Sequence, residues 1–220
     1  MKYAVVDLEM CKVPKSLRTQ GYRWSRETIQ IGAVLLDEDL KVVKKFSTFV
    51  RPTYGRMDPF IERLTGITKE NVYTAQPLEY ALARFVKWLK DYDVRCVSWS
   101  YTDENQLRRE IEAKGIDNAR INELLDSWID CQKIFDEKMD SVRQYSLEEA
   151  LIASDIITEG RAHDGLVDAY NTALLYAKLL SEPEYELNEL YSRARDSHMD
   201  HLGVSLGDMF GSLNLRLAAG

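Results

Sequence analysis

Apolar residues crowd the start of the chain, MKYAVVDLEM, where Val5, Val6 and Leu8 predict a buried strand that also carries Asp7 and Glu9. In a strand, residues two apart share a face, so the two carboxylates project together while Val6, Leu8 and Met10 face the other way. A polar, basic stretch, CKVPKSLRTQGYRWSRET, follows. TIQIGAVLL and LKVVKKFSTFV then predict two more strands around the turn-forming DEDL, giving a meander of three. RPTYGRMDP reads as a loop from its prolines and glycine. Leu78, Ala81, Leu82, Phe85, Val86 and Leu89 recur at helical spacing and predict an amphipathic helix. VRCVSWS is β-like, and DENQLRREIEAKG predicts a helix beginning on an acid and ending at Gly115. SWIDCQKIF fits a strand or a helix start equally. SLEEALIAS predicts a helix capped by Ser146 with Glu149 three residues on, and GLVDAYNTALLYAKLL a long one. Strands first, then strands alternating with helices, predict an α/β domain with a mixed sheet over residues 1–180. Residues 181–220 change to a polar character and read as a helical or partly disordered extension.

Size and composition narrow the class. The chain has 220 residues, 45% hydrophobic and 30% charged, which suits a globular domain with a full core. No apolar run approaches the ~20 residues of a membrane span, and the start lacks a leader with a cleavage site. Cys11, Cys96 and Cys131 stand far apart without zinc spacing and read as reduced, buried thiols, so a cytoplasmic location is expected. A net charge of −7 argues against a passive nucleic-acid coat, but acids gathered around divalent cations count negative in such a sum.

Three groups of residues carry candidate chemistry. Asp7 and Glu9 form a hard-oxygen pair suited to Mg²⁺ or Mn²⁺, or else the solvated side of an edge strand. His163, in GRAHDGLVDAYNTALL, lies five residues before Asp168 on the following helix; Asp164 and Asp168 also suit a first helical turn. Asp103, in SWSYTDENQLRREI, follows a β-like stretch, where a plain N-cap and a third acid of the same site are equally open readings.

Taken in order, D-x-E, a middle Asp and H-x-x-x-x-D resemble the DEDDh, or DnaQ-like, exonucleases of the ribonuclease H-like fold. YAVVDLEM, ETIQIGAVLLD, FSTFVRP and LTGIT are similar to that family's opening half, and SLEEAL and GRAHDGLVDAYNTALLYAKLL to its closing half. Within the family, VVDLEMC, WIDCQKIF and GRAHDGLVDAYNTA are most similar to the exoribonucleases that trim histone messenger and ribosomal RNA ends and degrade small interfering RNA. Bacterial relatives described as sporulation inhibitors belong to the same subgroup. Two departures stand out: Val167 occupies a position where the family often has an acid, and Ser100-Tyr101-Thr102 replaces a glycine- and asparagine-containing stretch. The second departure leaves Asp91 and Asp93 as rivals to Asp103.

The resemblance implies a 3′-to-5′ exonuclease that releases nucleoside 5′-monophosphates from single-stranded ends, RNA favoured over DNA. It implies two divalent cations, Mg²⁺ or Mn²⁺, on Asp7, Glu9, Asp103 and Asp168, with His163 as general base. It also implies terminal-nucleotide contacts from Leu8, Met10, Leu64, Thr65 and Gly66. Lys12, Lys15, Arg18, Arg23 and Arg26 read either as contacts to the strand backbone or as solvated loop charge. The alternatives are a DNA proofreading or repair exonuclease of the same fold and a regulatory binding module without catalysis. The extension offers a surface for a protein partner; its His198 and His201, three apart, read as a polar helix face rather than a metal site.

Overall fold

A computed structural model of the chain describes residues 1–188 apart from 20, 140–142, 159, 183 and 184. The expectations for His198 and His201, and for most of the extension, lie outside the described residues. Five strands form one mixed sheet in the order β3-β2-β1-β4-β5. They are β1 (Lys2–Lys12), β2 (Arg26–Leu36), β3 (Val42–Phe49), β4 (Val94–Ser98) and β5 (Ile129–Asp130). The first three run antiparallel as the expected meander, and β4 and β5 join parallel to β1.

β1 is therefore central, which removes the edge-strand reading of its two acids. Its apolar residues divide between the two faces of the sheet. Ala4, Val6 and Leu8 enter one cluster with residues of α3 (Leu78–Leu89), α4 (Thr102–Lys114) and α5 (Ala119–Asp126). Val5 enters a second cluster with residues of α6 (Cys131–Met139), α7 (Leu147–Ala153) and α8 (Gly165–Ser181). Both faces are covered, as a sheet with crossover helices requires. A third cluster, containing Cys11, Ile29, Met57, Ile61 and Val72, lies with α1 (Pro59–Thr65) and α2 (Lys69–Tyr73).

The helices form for local reasons that then serve the packing. α3 buries Leu78, Ala81, Leu82, Phe85 and Leu89 along one stripe. Each large member contributes roughly 1.5–3 kcal/mol of transfer free energy. α7 has the anticipated capping box: Ser146 Oγ accepts from the Glu149 N–H, and the Glu149 carboxylate accepts from the Ser146 N–H. α4 ends at Gly115 in the left-handed region, also as anticipated. SWIDCQKIF resolves into both alternatives, since β5 passes directly into α6.

Helices α1, α2 and α5 differ from the sequence expectation, which had no helix at those places. α1 begins where Asp58 accepts from the Phe60 and Ile61 N–H groups, and α2 where Thr68 and Asn71 form a reciprocal box. Such short helices depend on caps and tertiary contacts more than on periodicity. Cys11, Cys96 and Cys131 are all free and buried. Among the described residues, no helix is long and apolar enough to cross a membrane. Beyond α8, Tyr185 hydrogen-bonds the Ser154 hydroxyl, and Asn188 donates to the Ile152 and Ala153 carbonyls, so 185–188 lie against the end of α7.

Candidate active site

Strand alternation that sends Val5 toward α8 also sends Asp7 and Glu9 to that face, where α8 begins. The close approach depends on two glycines. Asp7 pairs in register with Gly32 of β2. A Cβ on Gly32 would fall 2.1 Å from the Gly165 carbonyl carbon, so only glycine admits the start of α8 there. Gly165 N–H donates to Gln30 Oε1 at 3.0 Å, pinning the helix end to β2. One turn on, Asp168 faces the strand acids.

His163 enters from the loop before α8. Its backbone has φ of 63°, a left-handed conformation that costs a non-glycine residue free energy unless its surroundings hold it. The Asp168 carboxylate supplies one such restraint by accepting the His163 N–H at 2.8 Å. Donor atoms of Glu9, His163 and Asp168 lie within 4.8 Å of one another. Asp164, by contrast, caps α8 by accepting from the Leu166 and Val167 N–H groups.

Asp103 arrives from the opposite side. It is the second residue of α4, whose N-cap is Tyr101, so the capping reading of Asp103 does not hold. Instead its Oδ1 accepts the Leu8 N–H at 3.1 Å, tying α4 to the strand between the two acids. Asp91 and Asp93 precede β4 at the end where Lys2 pairs with Val94, away from Asp7 and Glu9.

The four carboxylates perturb one another. Burial, then the charges of Asp103, Asp168 and Glu9, raise the Asp7 pKa well above the usual carboxylate range. Burial and the charges of Asp168 and Asp103 push Glu9 to about 8. Burial lifts Asp103 to about 7 against the Leu8 hydrogen bond, and raises Asp168 against the His163 N–H. Among the described residues, none of the four has an ion pair. Oxygen donors crowded in this way, without a cationic side chain to neutralise them, fit a hard divalent metal.

A recess of about 470 Å³ opens over these residues and is lined also by Leu8, Met10, Lys12, Arg26, Phe60, Leu64 and Trp99. Leu8, Met10 and Leu64 thus stand where a terminal nucleotide was expected to be met. Thr65 and Gly66 do not line it. Thr65 is buried, and its hydroxyl bonds the Ile61 carbonyl and the Ile67 N–H. Gly66 is the left-handed cap of α1, with the Arg161 guanidinium lying where its Cβ would project. Arg161 also donates to the Arg63 carbonyl and so fastens the His163 loop to α1. Sequence reading passed over Gln30, Gly32 and Arg161, which act through contacts distant in the chain.

Residues 4–176 match the RNase_T family, described as exonuclease. ERI1 exoribonuclease 2 of Danio rerio is 31% identical over 71% of this chain and 32% of its own length. The 3′-5′ exonuclease Snipper of Drosophila melanogaster is 26% identical over 71% of this chain and 62% of its own. The chain therefore spans about a third of the first relative and less than two thirds of the second. Among solved structures, the nuclease domain of 3′hExo, a DEDDh family member bound to rAMP, superposes with a TM-score of 0.71 at 23% identity. That match covers 86% of this chain and 96% of the other. Escherichia coli Exonuclease I in complex with a dT13 oligonucleotide superposes with a TM-score of 0.58 at 16% identity, over 80% of this chain and 40% of its own. The ribonuclease H-like exonuclease fold implies divalent metal ions, and the donor set described above fits them.

Proposed function

The chain belongs to the RNase_T exonuclease family, and on that premise we propose that it removes nucleotides one at a time from the 3′ end of single-stranded RNA, releasing nucleoside 5′-monophosphates. One observation carries the proposal: four acids from three separate segments, unneutralised by any side chain among the described residues, meet beside His163 at the floor of an open recess.

Asp7, Glu9, Asp103 and Asp168 would hold two divalent cations, Mg²⁺ or Mn²⁺. When bound, such ions place positive charge against the phosphodiester and make water easier to ionise. Asp7 and Glu9 stand on the central strand, so their oxygens are fixed before substrate arrives. Asp103 is oriented by the Leu8 N–H and Asp168 by the His163 N–H, which limits rearrangement during reaction. A ring nitrogen of His163, which stands beside Glu9 and Asp168 on the recess, takes the proton of the attacking water as general base. Leu8, Met10 and Leu64 offer an aliphatic and thioether surface to the terminal base, a surface without base preference.

The preference for RNA rests on the relatives named as exoribonucleases. Matched 5′-labelled RNA and DNA strands, each with a free or blocked 3′ end, test the whole reading in the presence of Mg²⁺ or Mn²⁺. A ladder shortening from the free 3′ end of RNA, absent in Asp7→Ala, is expected. Equal attack on blocked ends would overturn exonuclease action. Faster digestion of DNA would favour a DNA exonuclease of the same fold, and no digestion at all a binding module.

A further inference from the structure

A second recess, of about 510 Å³, adjoins the catalytic one. The two share Met10, Arg26, Ser100 and Thr102, but the second includes none of Phe60, Ile61 and Leu64, the far wall of the first. Its own walls come from Trp24, Tyr101, Asn105 and Arg109, among others. The basic stretch after β1, whose purpose the catalytic reading leaves open, therefore borders a continuous path out of the active site.

Charge along this path is unusual for a protein of net charge −7. The guanidiniums of Arg23 and Arg109 each sit 4.7 Å from the Trp24 ring centroid. Neither they nor Arg26 forms an ion pair with a carboxylate among the described residues. Cation–π contact holds a guanidinium in place without neutralising it, so both charges stay available to an anion. Tyr101, on the wall of the same recess, is 43% exposed. The one acid on this wall, Asp130, is engaged by the Tyr101 and Lys133 N–H groups.

We propose that this recess binds the nucleotides on the 5′ side of the scissile phosphate, with Arg26 and the Trp24-braced Arg109 on phosphates and Tyr101 beneath a base. The proposal rests on the exonuclease reading and extends it to the part of the strand that stays bound after each cleavage. Aromatic stacking and guanidinium contacts of this kind tolerate any base, so the recess would measure strand length rather than sequence.

Two substrates separate this role from the chemistry. One is an RNA hexanucleotide. The other is the p-nitrophenyl ester of uridine 5′-monophosphate, which has a phenolate leaving group in place of the upstream strand. Relative to wild type, Arg109→Gln and Tyr101→Ala should each lower kcat/KM for the hexanucleotide about tenfold more than for the ester, mainly through KM. Arg109→Gln should also flatten the dependence of log KM on log salt by about one contact. Lys87→Gln, an exposed lysine on α3, is the charge-matched control and should alter neither substrate. An unchanged ratio in both variants, or equal losses on the two substrates, would overturn the proposal while leaving the exonuclease reading standing. Wild-type protein that cleaves neither substrate would overturn both.

Discussion

Replacing Gly32 by alanine adds one methyl group at the place where the site is assembled. That carbon would lie 2.1 Å from the Gly165 carbonyl carbon, 2.2 Å from its oxygen and 2.3 Å from the Leu166 nitrogen. All three are backbone atoms, so no side chain can rotate away. Restoring an ordinary contact of about 3.4 Å requires the start of α8 to withdraw from β2 by about 1.3 Å, the difference between 3.4 and 2.1. Overpacking of this kind costs about 1–3 kcal/mol, and for a chain of this size each kcal/mol lowers Tm by about 2–4 °C. The functional loss should be larger. His163 and Asp168 flank Gly165, whereas Asp7 stands on β1, paired with Gly32 of the strand from which the helix retreats. A misplacement of about 1 Å at a reacting centre lowers rate about a hundredfold. The assay is kcat/KM on single-stranded RNA with Mn²⁺, well below the melting transition, beside a circular-dichroism melt. Gly115→Ala provides the comparison: its φ of 62° makes alanine strained by about 1–2 kcal/mol, but a Cβ there meets nothing within 4 Å. It should therefore lower Tm and leave activity intact. Wild-type activity in Gly32→Ala would refute the claim that this contact sets the geometry of the site.

Other substitutions probe other parts of the structure. Asp7→Asn removes one of four mutually repelling carboxylates, so it should abolish RNA cleavage while keeping or raising Tm in EDTA; a fall in Tm would contradict the repulsion. Lys114 bonds Glu110 at 2.6 Å and Glu27 at 2.8 Å, and both acids are fully buried. Lys114→Met leaves them uncompensated and should cost about 3–5 kcal/mol in urea unfolding, and a loss below 1 kcal/mol would refute the role given to this lysine. Burial alone would lower the Lys114 pKa, but Glu110 and Glu27 hold it above the ordinary 10.5. The sign is that of a raised cation: its stabilisation is complete below the ordinary lysine value and disappears only as pH climbs through the folded value. Wild type should accordingly lose this contribution only above the ordinary lysine value, and a fall in urea stability between about pH 6 and 9 belongs instead to Glu9 and Asp103, whose raised carboxyls ionise there. Ser146→Ala removes the α7 cap and should cost about 1 kcal/mol with no change in kcat.

Residue types alone left Asp7, Glu9, His163 and Asp168 open to structural readings; the order of their motifs, through its resemblance to the DEDDh exonucleases, singled them out, and the structure gathers all four around one recess. Acids in a hydrophobic strand and a histidine before a long apolar helix both ask for an explanation. The long helices were legible from periodicity, and α7 from its cap. What escaped depends on contacts between distant segments. Gln30 and Gly165 are 135 residues apart, and nothing near either shows that an amide of one holds the helix end of the other. Glu27 accepts the N–H groups of Thr53, Tyr54 and Gly55, which shapes a loop that its prolines and glycine only announce. Thr65 and Gly66 were expected at the substrate because the LTG stretch resembles the family's terminal-nucleotide segment, yet the end of α1 turns the Thr65 hydroxyl inward and, of the three, only Leu64 lines the recess. Asp103 looked like a cap because it begins a helix; its hydrogen bond crosses to a strand 95 residues earlier.

Anomalous diffraction from crystals soaked in manganese tests the central claim most directly. Two peaks are expected within coordination distance of Asp7, Glu9, Asp103 and Asp168, with His163 beside them, and both should vanish in Asp7→Ala. Manganese bound elsewhere, with the four carboxylates left without a cation, would contradict the account.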